Sequence, residues 1–258
     1  MEQVSRRQAF GVMAGAGTGV AMTKILGSGT ALARQGASEP PSPVPVVGGA
    51  FSGKHQPKPL LFKPSQLRGL SSHLIESHWE NNYSGAVKAL NAVEVKLGGL
   101  LRDKDLAPYM YADLKREQLL RIGSVVLHEL YFENLGGDGT PSGDIAAALA
   151  TWFSDLSTWD SEFRKIGNGL AGGSGWVVLG YNAHLKQLTN NWAWDHAHNA
   201  AGATPLLVMD MYEHAYHMDY GAAAAKYVDA FMANVNWEVV NERYVAASKA
   251  GDCSARLK

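Results

Sequence analysis

The chain is poor in the groups that cross-link small exported domains or hold structural zinc. Its 258 residues include a single cysteine, Cys253, close to the C-terminus. No intrachain disulfide can form, and no cluster of thiolates can bind a metal. Excess charge of one sign is lacking as well. The 23 basic and 24 acidic side chains give a formal net charge of -1, which removes the electrostatic case for nucleic acid. Beyond the N-terminus no run is long and apolar enough to span a bilayer, so no stable membrane association is expected once a leader is removed. What the chain does have is 46% hydrophobic residues, enough to bury one or two ordinary cores.

Residues 1–33 read as a signal peptide of the twin-arginine type. Ser5-Arg6-Arg7 precedes the weakly apolar stretch from Phe10 to Met22, and Ala31-Leu32-Ala33 offers a small-x-small cleavage site. This predicts export, to the periplasm or beyond. Residues 34–60 hold Pro40, Pro41, Pro43, Pro45, Gly48 and Gly49, a composition that excludes a helix and reads as a linker or extended arm.

The rest predicts an α+β fold: an N-terminal helical hairpin over 61–138, a mixed domain over 139–247 with a small three-stranded antiparallel sheet and flanking helices, and a tail over 248–258. Apolar residues at spacings of three and four predict a helix over 71–97, capped by Ser71 or Ser72, interrupted around Asn81-Asn82 and ended by Gly98-Gly99. A second helix is expected over 111–133. His78 lies on the inward stripe of the first and His128 beside that of the second. Beyond the Gly136–Pro141 break, helices are expected over 145–156 and, shorter, 161–166. Strands are expected over 173–181, 185–194 and 206–210, and helices over 212–220 and 222–233.

The most informative segment is Asp210-Met-Tyr-Glu213-His214-Ala-Tyr216, directly after the apolar strand Leu206–Met209. It places a hard anionic oxygen and an imidazole nitrogen four residues apart at the end of a rigid element, as a metal site needs. His78 and His128 complete a shell of three imidazoles and one carboxylate. Taken singly, each has a plainer reading: a hydrogen-bonded core histidine, or a carboxylate capping a helix. Together they demand a cation, because burying three imidazoles and a carboxylate without one is costly.

The pattern Asp-x-x-Glu-His-Ala-Tyr, followed by Asp219-Tyr220, Val235-Asn236-Trp237 and Glu242-Arg243-Tyr244, resembles the C-terminal signature of the iron/manganese superoxide dismutases. The segments around His78 and His128 resemble that family's other two ligand regions, in the family's order. The resemblance covers roughly Ser65 to Ala247. It implies one Fe or Mn ion per subunit held by His78, His128, Asp210 and His214, with metal-bound solvent as the local proton reservoir and superoxide as substrate. It also implies a homodimer, with further pairing into tetramers left open, in which Glu213 bonds the partner's equivalent of His214.

The surroundings depart from the family pattern. The gateway positions usually held by His and Tyr are Asn82 and Ala86, with Tyr83 adjacent as a substitute phenol. His217 stands where a second tyrosine reaches the partner's gateway, and the pair His217 and Asn82 could exchange roles across the interface. Trp176 keeps the first of two family tryptophans, while Val178 replaces the second and Tyr212 replaces a third. The residue that tunes the metal through a hydrogen bond is expected at His196, with His198 as the fallback, since Ser124 is too short. Two other functions fit parts of the pattern: a non-catalytic metal-binding protein of this fold, and a mononuclear iron oxygenase, against which the third imidazole argues.

Overall fold

The computed structural model describes residues 48–254; the expected signal peptide and the first part of the Pro-rich segment lie outside them. The fold is α+β. A helical half carries His78 and His128, and a three-stranded antiparallel sheet carries Asp210. No helix among the described residues is long and apolar enough to cross a membrane.

Ser71 caps α1 (Ser72–Ser77), its hydroxyl accepting from the Leu74 amide at 3.1 Å. The helix then widens into a π turn, His78–Tyr83, where the Ser84 amide reaches back to the Trp79 carbonyl. It returns to α geometry as α2 (Ser84–Leu100). The widening falls on the Asn81-Asn82 interruption. An ordinary helix would carry Tyr83 about 140° round the axis from His78. Bonds that span five residues bring it back toward the face of His78, and Tyr83 is 1% exposed. The glycines at 98 and 99 do not stop α2, contrary to the expectation above. Leu97 and Gly98 are buried, and that packing overrides the glycine preference.

The extended segment that begins at Ser52 is strapped across these helices. The Gly53 amide donates to Glu94 Oε2, and His55 and Asn91 exchange a pair of hydrogen bonds at 2.9 Å. Trp79 Nε1 donates to the Lys58 carbonyl, and the Lys58 amide donates to the Tyr83 hydroxyl at 2.8 Å.

Helix α3 (Pro108–Glu133) starts on a proline that tolerates its missing N–H there. Helices α4 (Gly143–Trp152) and α5 (Leu156–Leu170) follow. The second is much longer than the expected 161–166. Asp155 caps it, accepting from Thr158 N at 2.7 Å, and it buries Trp159, Phe163, Gly167 and Leu170 on one stripe. Gly167 weakens the helical signal but is needed for contact, since a Cβ there would lie 2.6 Å from Met209 Cε.

Strands β1 (Trp176–Asn182), β2 (Gln187–Ala193) and β3 (Ala203–Asp210) pair in the order β2-β1-β3. The register sets Trp176 directly opposite Asp210. The outer edge of β3 is closed by Asn134, fully buried just after α3. Its Oδ1 accepts from the Val208 amide at 2.9 Å and its Nδ2 donates to the Leu206 carbonyl at 3.3 Å. The stretch after β3 is not the single helix expected over 212–220. It is a 3-10 turn, Glu213–Ala215, followed by the short α6 (His217–Tyr220). Helix α7 (Ala224–Ala233) is as expected to within two residues. Helix α8 (Trp237–Ser254) was not foreseen, and it runs into what was read as a tail.

Candidate metal centre

His78 opens the π turn, His128 comes from the last turns of α3, Asp210 ends β3 and His214 sits in the 3-10 turn after it. The structure brings these four together. One ligand atom from each lies within 4.8 Å of the other three, a spacing close to two metal–donor bonds of roughly 2.1 Å each. Asp210 Oδ2 is 3.1 Å from His214 Nε2, 3.2 Å from His78 Nε2 and 3.6 Å from His128 Nε2. The first two ligand histidines and Asp210 are buried, while the side chain of His214 retains 25% exposure.

The donor atoms are prepared for a cation. His128 Nδ1 lies 2.7 Å from the Ser124 carbonyl. A carbonyl only accepts, so Nδ1 carries the proton and Nε2 presents a lone pair. The Nε2 atoms of His78 and His128 are buried without a hydrogen-bond partner. Burial holds the pKa of both imidazoles below the ordinary value, to about 3 for His128. For Asp210 burial alone would raise the pKa, but the imidazoles of His214 and His78 outweigh it and hold the carboxyl below its usual range. An ionised carboxylate among lone-pair nitrogens, shut away from water, is an oxygen/nitrogen cage that a single iron or manganese ion fits.

The carboxylate is held in place from several sides. The Tyr212 amide donates to Asp210 Oδ1 at 2.8 Å, and the Tyr227 hydroxyl donates to the Asp210 carbonyl at 2.6 Å. The rings of Tyr131 and Phe132 lie 5.1 and 5.0 Å from that of His78, and Trp176 stands edge-on to His128 at 5.0 Å. Sequence reading missed Tyr227, because a buried tyrosine on a helix carries no mark of what its hydroxyl meets. It also set Ser124 aside for its short side chain, whereas its carbonyl, at 2.7 Å, and its hydroxyl, at 3.3 Å, both meet His128 Nδ1.

Of the surrounding residues, His196 lies beside the ligands, its ring centroid 5.9 Å from that of His128. His198 packs instead against Trp194 at 4.1 Å and bonds to Asp195. The ring of Tyr83 is 6.3 Å from that of His128, but its hydroxyl donates to Glu129 at 2.9 Å and accepts from Lys58. Ala86 is buried and Asn82 half-buried. Glu213 and His217 are exposed, and among the described residues no hydrogen bond or ion pair engages either side chain.

The C-terminal part of the chain, residues 141–243, matches the family model described as iron/manganese superoxide dismutases, C-terminal domain. Over 194 residues the chain is 50% identical to a superoxide dismutase [Fe] of Cupriavidus metallidurans, covering 75% of this chain and 98% of that protein. The chain belongs to the iron/manganese superoxide dismutase family. It is also 38% identical over 204 residues to a superoxide dismutase [Fe] of Aquifex aeolicus, covering 76% of this chain and 94% of that protein. A superoxide dismutase [Mn] of Mycolicibacterium fortuitum is 35% identical over 183 residues, 69% of this chain and 86% of that protein. The four-ligand cage is thus that of an iron/manganese superoxide dismutase.

The depressed imidazole pKa values make stability pH-dependent. In the unfolded chain these groups protonate near 6.5; in the folded chain they stay neutral to lower pH. Their contribution is complete above about pH 6.5 and is lost as pH falls toward the folded value, about 3 for His128. Within that window His128 alone removes about 1.4 kcal/mol per pH unit, and His78 contributes with the same sign. Urea unfolding of the metal-free protein is expected to show stability dropping steeply between pH 6.5 and 4.5. A flat profile there would mean that His78 and His128 are not buried as neutral rings.

Proposed function

We infer that this chain is an exported superoxide dismutase, working as a dimer. It converts two superoxide anions and two protons to oxygen and hydrogen peroxide at one iron or manganese ion per subunit. One observation carries the reading. The buried Asp210 carboxylate converges with three imidazoles, and the Nε2 atoms of His78 and His128 have no other partner. An iron or manganese ion held by His78, His128, Asp210 and His214 would supply the one-electron chemistry.

The protein residues do the rest. Asp210 offsets part of the cation's charge and fixes the anionic corner of the cage. The Ser124 carbonyl holds His128 with its lone pair facing inward. Tyr131, Phe132 and Trp176 keep bulk water from the ligands. His214, the partly exposed ligand, marks the side from which a small anion enters. His196 stands beside the cage as the hydrogen-bonding group that tunes it. Asn82, with Ala86 behind it, leaves the entrance less crowded than the usual His and Tyr do.

Dimerisation is supported by the 3-10 turn and α6. They present Glu213 and His217 outward next to the ligand His214, with no hydrogen-bond or ion-pair partner among the described residues. A carboxylate reaching the other subunit's His214 would join the two cages. Export is supported by Ser5-Arg6-Arg7, the Gly/Ala-rich stretch and Ala31-Leu32-Ala33.

Protein purified from its native compartment should contain iron or manganese, begin near residue 34, and run as a dimer. Stopped-flow decay of superoxide should give a second-order rate near the diffusional range of roughly 10⁸–10⁹ M⁻¹s⁻¹. Full metal occupancy without faster decay than buffer would replace this reading with that of a non-catalytic metal-binding protein, for which Asn82 and Ala86 are the motivating residues.

A further inference from the structure

The imidazole of His196 has two nitrogens, and one is already engaged. Trp176 Nε1 lies 3.0 Å from His196 Nδ1. An indole nitrogen donates and cannot accept. Nδ1 is therefore the bare nitrogen, and a neutral ring must carry its proton on Nε2. Turning the ring over would set a C–H against the indole donor and leave a buried N–H unpaired. Trp176 has no freedom to follow, because it is fully buried in β1 and paired in register with the ligand Asp210.

The backbone of His196 is fixed as tightly as its ring. It rests on Gly123 of α3, five residues before the ligand His128. A Cβ at that glycine would lie 1.8 Å from the His196 carbonyl oxygen and 2.7 Å from its carbonyl carbon. Asp195 Oδ1 accepts from the amides of Ala197 and His198 and so closes the loop. Tyr212 stacks on the His196 ring at 4.7 Å and 10°, and is itself 5.3 Å from the ring of His214.

We propose that Trp176 is a positioning residue that locks His196 in its Nε2–H form, and that Gly123 sets how close this donor stands to the ligand helix. A free imidazole can either donate or accept from Nε2. This one only donates beside the four ligands. The proposal rests on the reading of His196 as the residue that tunes the metal cage, and it assigns that residue a single hydrogen-bonding sense.

The test is nuclear magnetic resonance of protein labelled with ¹⁵N in histidine rings and tryptophan indoles. It is run metal-free and with diamagnetic zinc, and His196 is assigned through His196→Gln. The expected spectrum shows a pyridine-type Nδ1, a pyrrole-type Nε2, and scalar coupling across the hydrogen bond from Trp176 Nε1 to His196 Nδ1. In Trp176→Phe the Nδ1–H form becomes populated. In Gly123→Ala, which pushes the loop off α3, the coupling is lost. A pyrrole-type Nδ1 in the unmodified protein, or no coupling, overturns the proposal. So does a tautomer unchanged in Trp176→Phe, and coupling retained in Gly123→Ala overturns the part given to Gly123. If the phenylalanine variant does not fold, the coupling in the unmodified protein decides. No readout requires turnover, so failure of the dismutase reading and failure of this one are separable.

Discussion

Asp210→Ala is expected to purify with almost no iron or manganese and to leave superoxide decay at the rate of buffer. Asp210 is the one carboxylate of the cage, and it approaches all three imidazoles within 3.6 Å. Its loss removes both a ligand and the charge that balances the cation. Affinity should fall by more than the roughly 10–100-fold that follows loss of an outer hydrogen-bond partner. The fold should survive, because the substitution deletes a buried charge rather than stranding one. Elemental analysis beside circular dichroism checks both halves. Asp210→Asn, which keeps the shape and removes the charge, should behave alike. Stoichiometric metal in either variant would mean that another group completes the cage.

The second large effect is expected far from any ligand atom. Asn134→Ala should lower stability by roughly 2–4 kcal/mol. The Val208 amide loses its acceptor in a place water does not reach, and the Leu206 carbonyl keeps only the Arg243 guanidinium. For a protein of this size that corresponds to about 5–15 °C in melting temperature. Asp210 lies two residues beyond Val208 on the same strand, so retained metal should fall as well. Thermal unfolding with and without metal measures both. A change under about 0.5 kcal/mol, the size of an ordinary surface substitution, would show that the strand edge does not depend on this side chain.

The four ligands could be read from sequence because each is a chemically distinct residue at an inward position of a periodic element. His78 shares a stripe with Leu74 and Ile75, and Asp210 follows an uninterrupted apolar strand. The features that orient them are largely backbone facts. The Ser124 carbonyl, the seat at Gly123 and the Trp176–Asp210 register leave no trace in residue type or spacing. Local preference also misjudged lengths. Gly98, Gly99 and Gly167 argued for short helices that tertiary packing extends. Helix α8 went unread because its core contacts, Trp237, Val240 and Ala247, are few and widely spaced. His196 was separable from His198 only by geometry, since both lie in one short polar stretch.

The π turn at His78–Tyr83 contains one residue more than an α turn of equal rise. Deleting a single residue such as Asn81 would let the helix close into ordinary winding while α2 kept its docking through Val87 and Leu90. Tyr83 would then be the fourth residue after His78, about 40° round an ordinary helix, so it would still face the ligand and keep the strap at Lys58 anchored. The surplus residue thus lets one more side chain be carried between His78 and Tyr83 without turning either of them off their shared face.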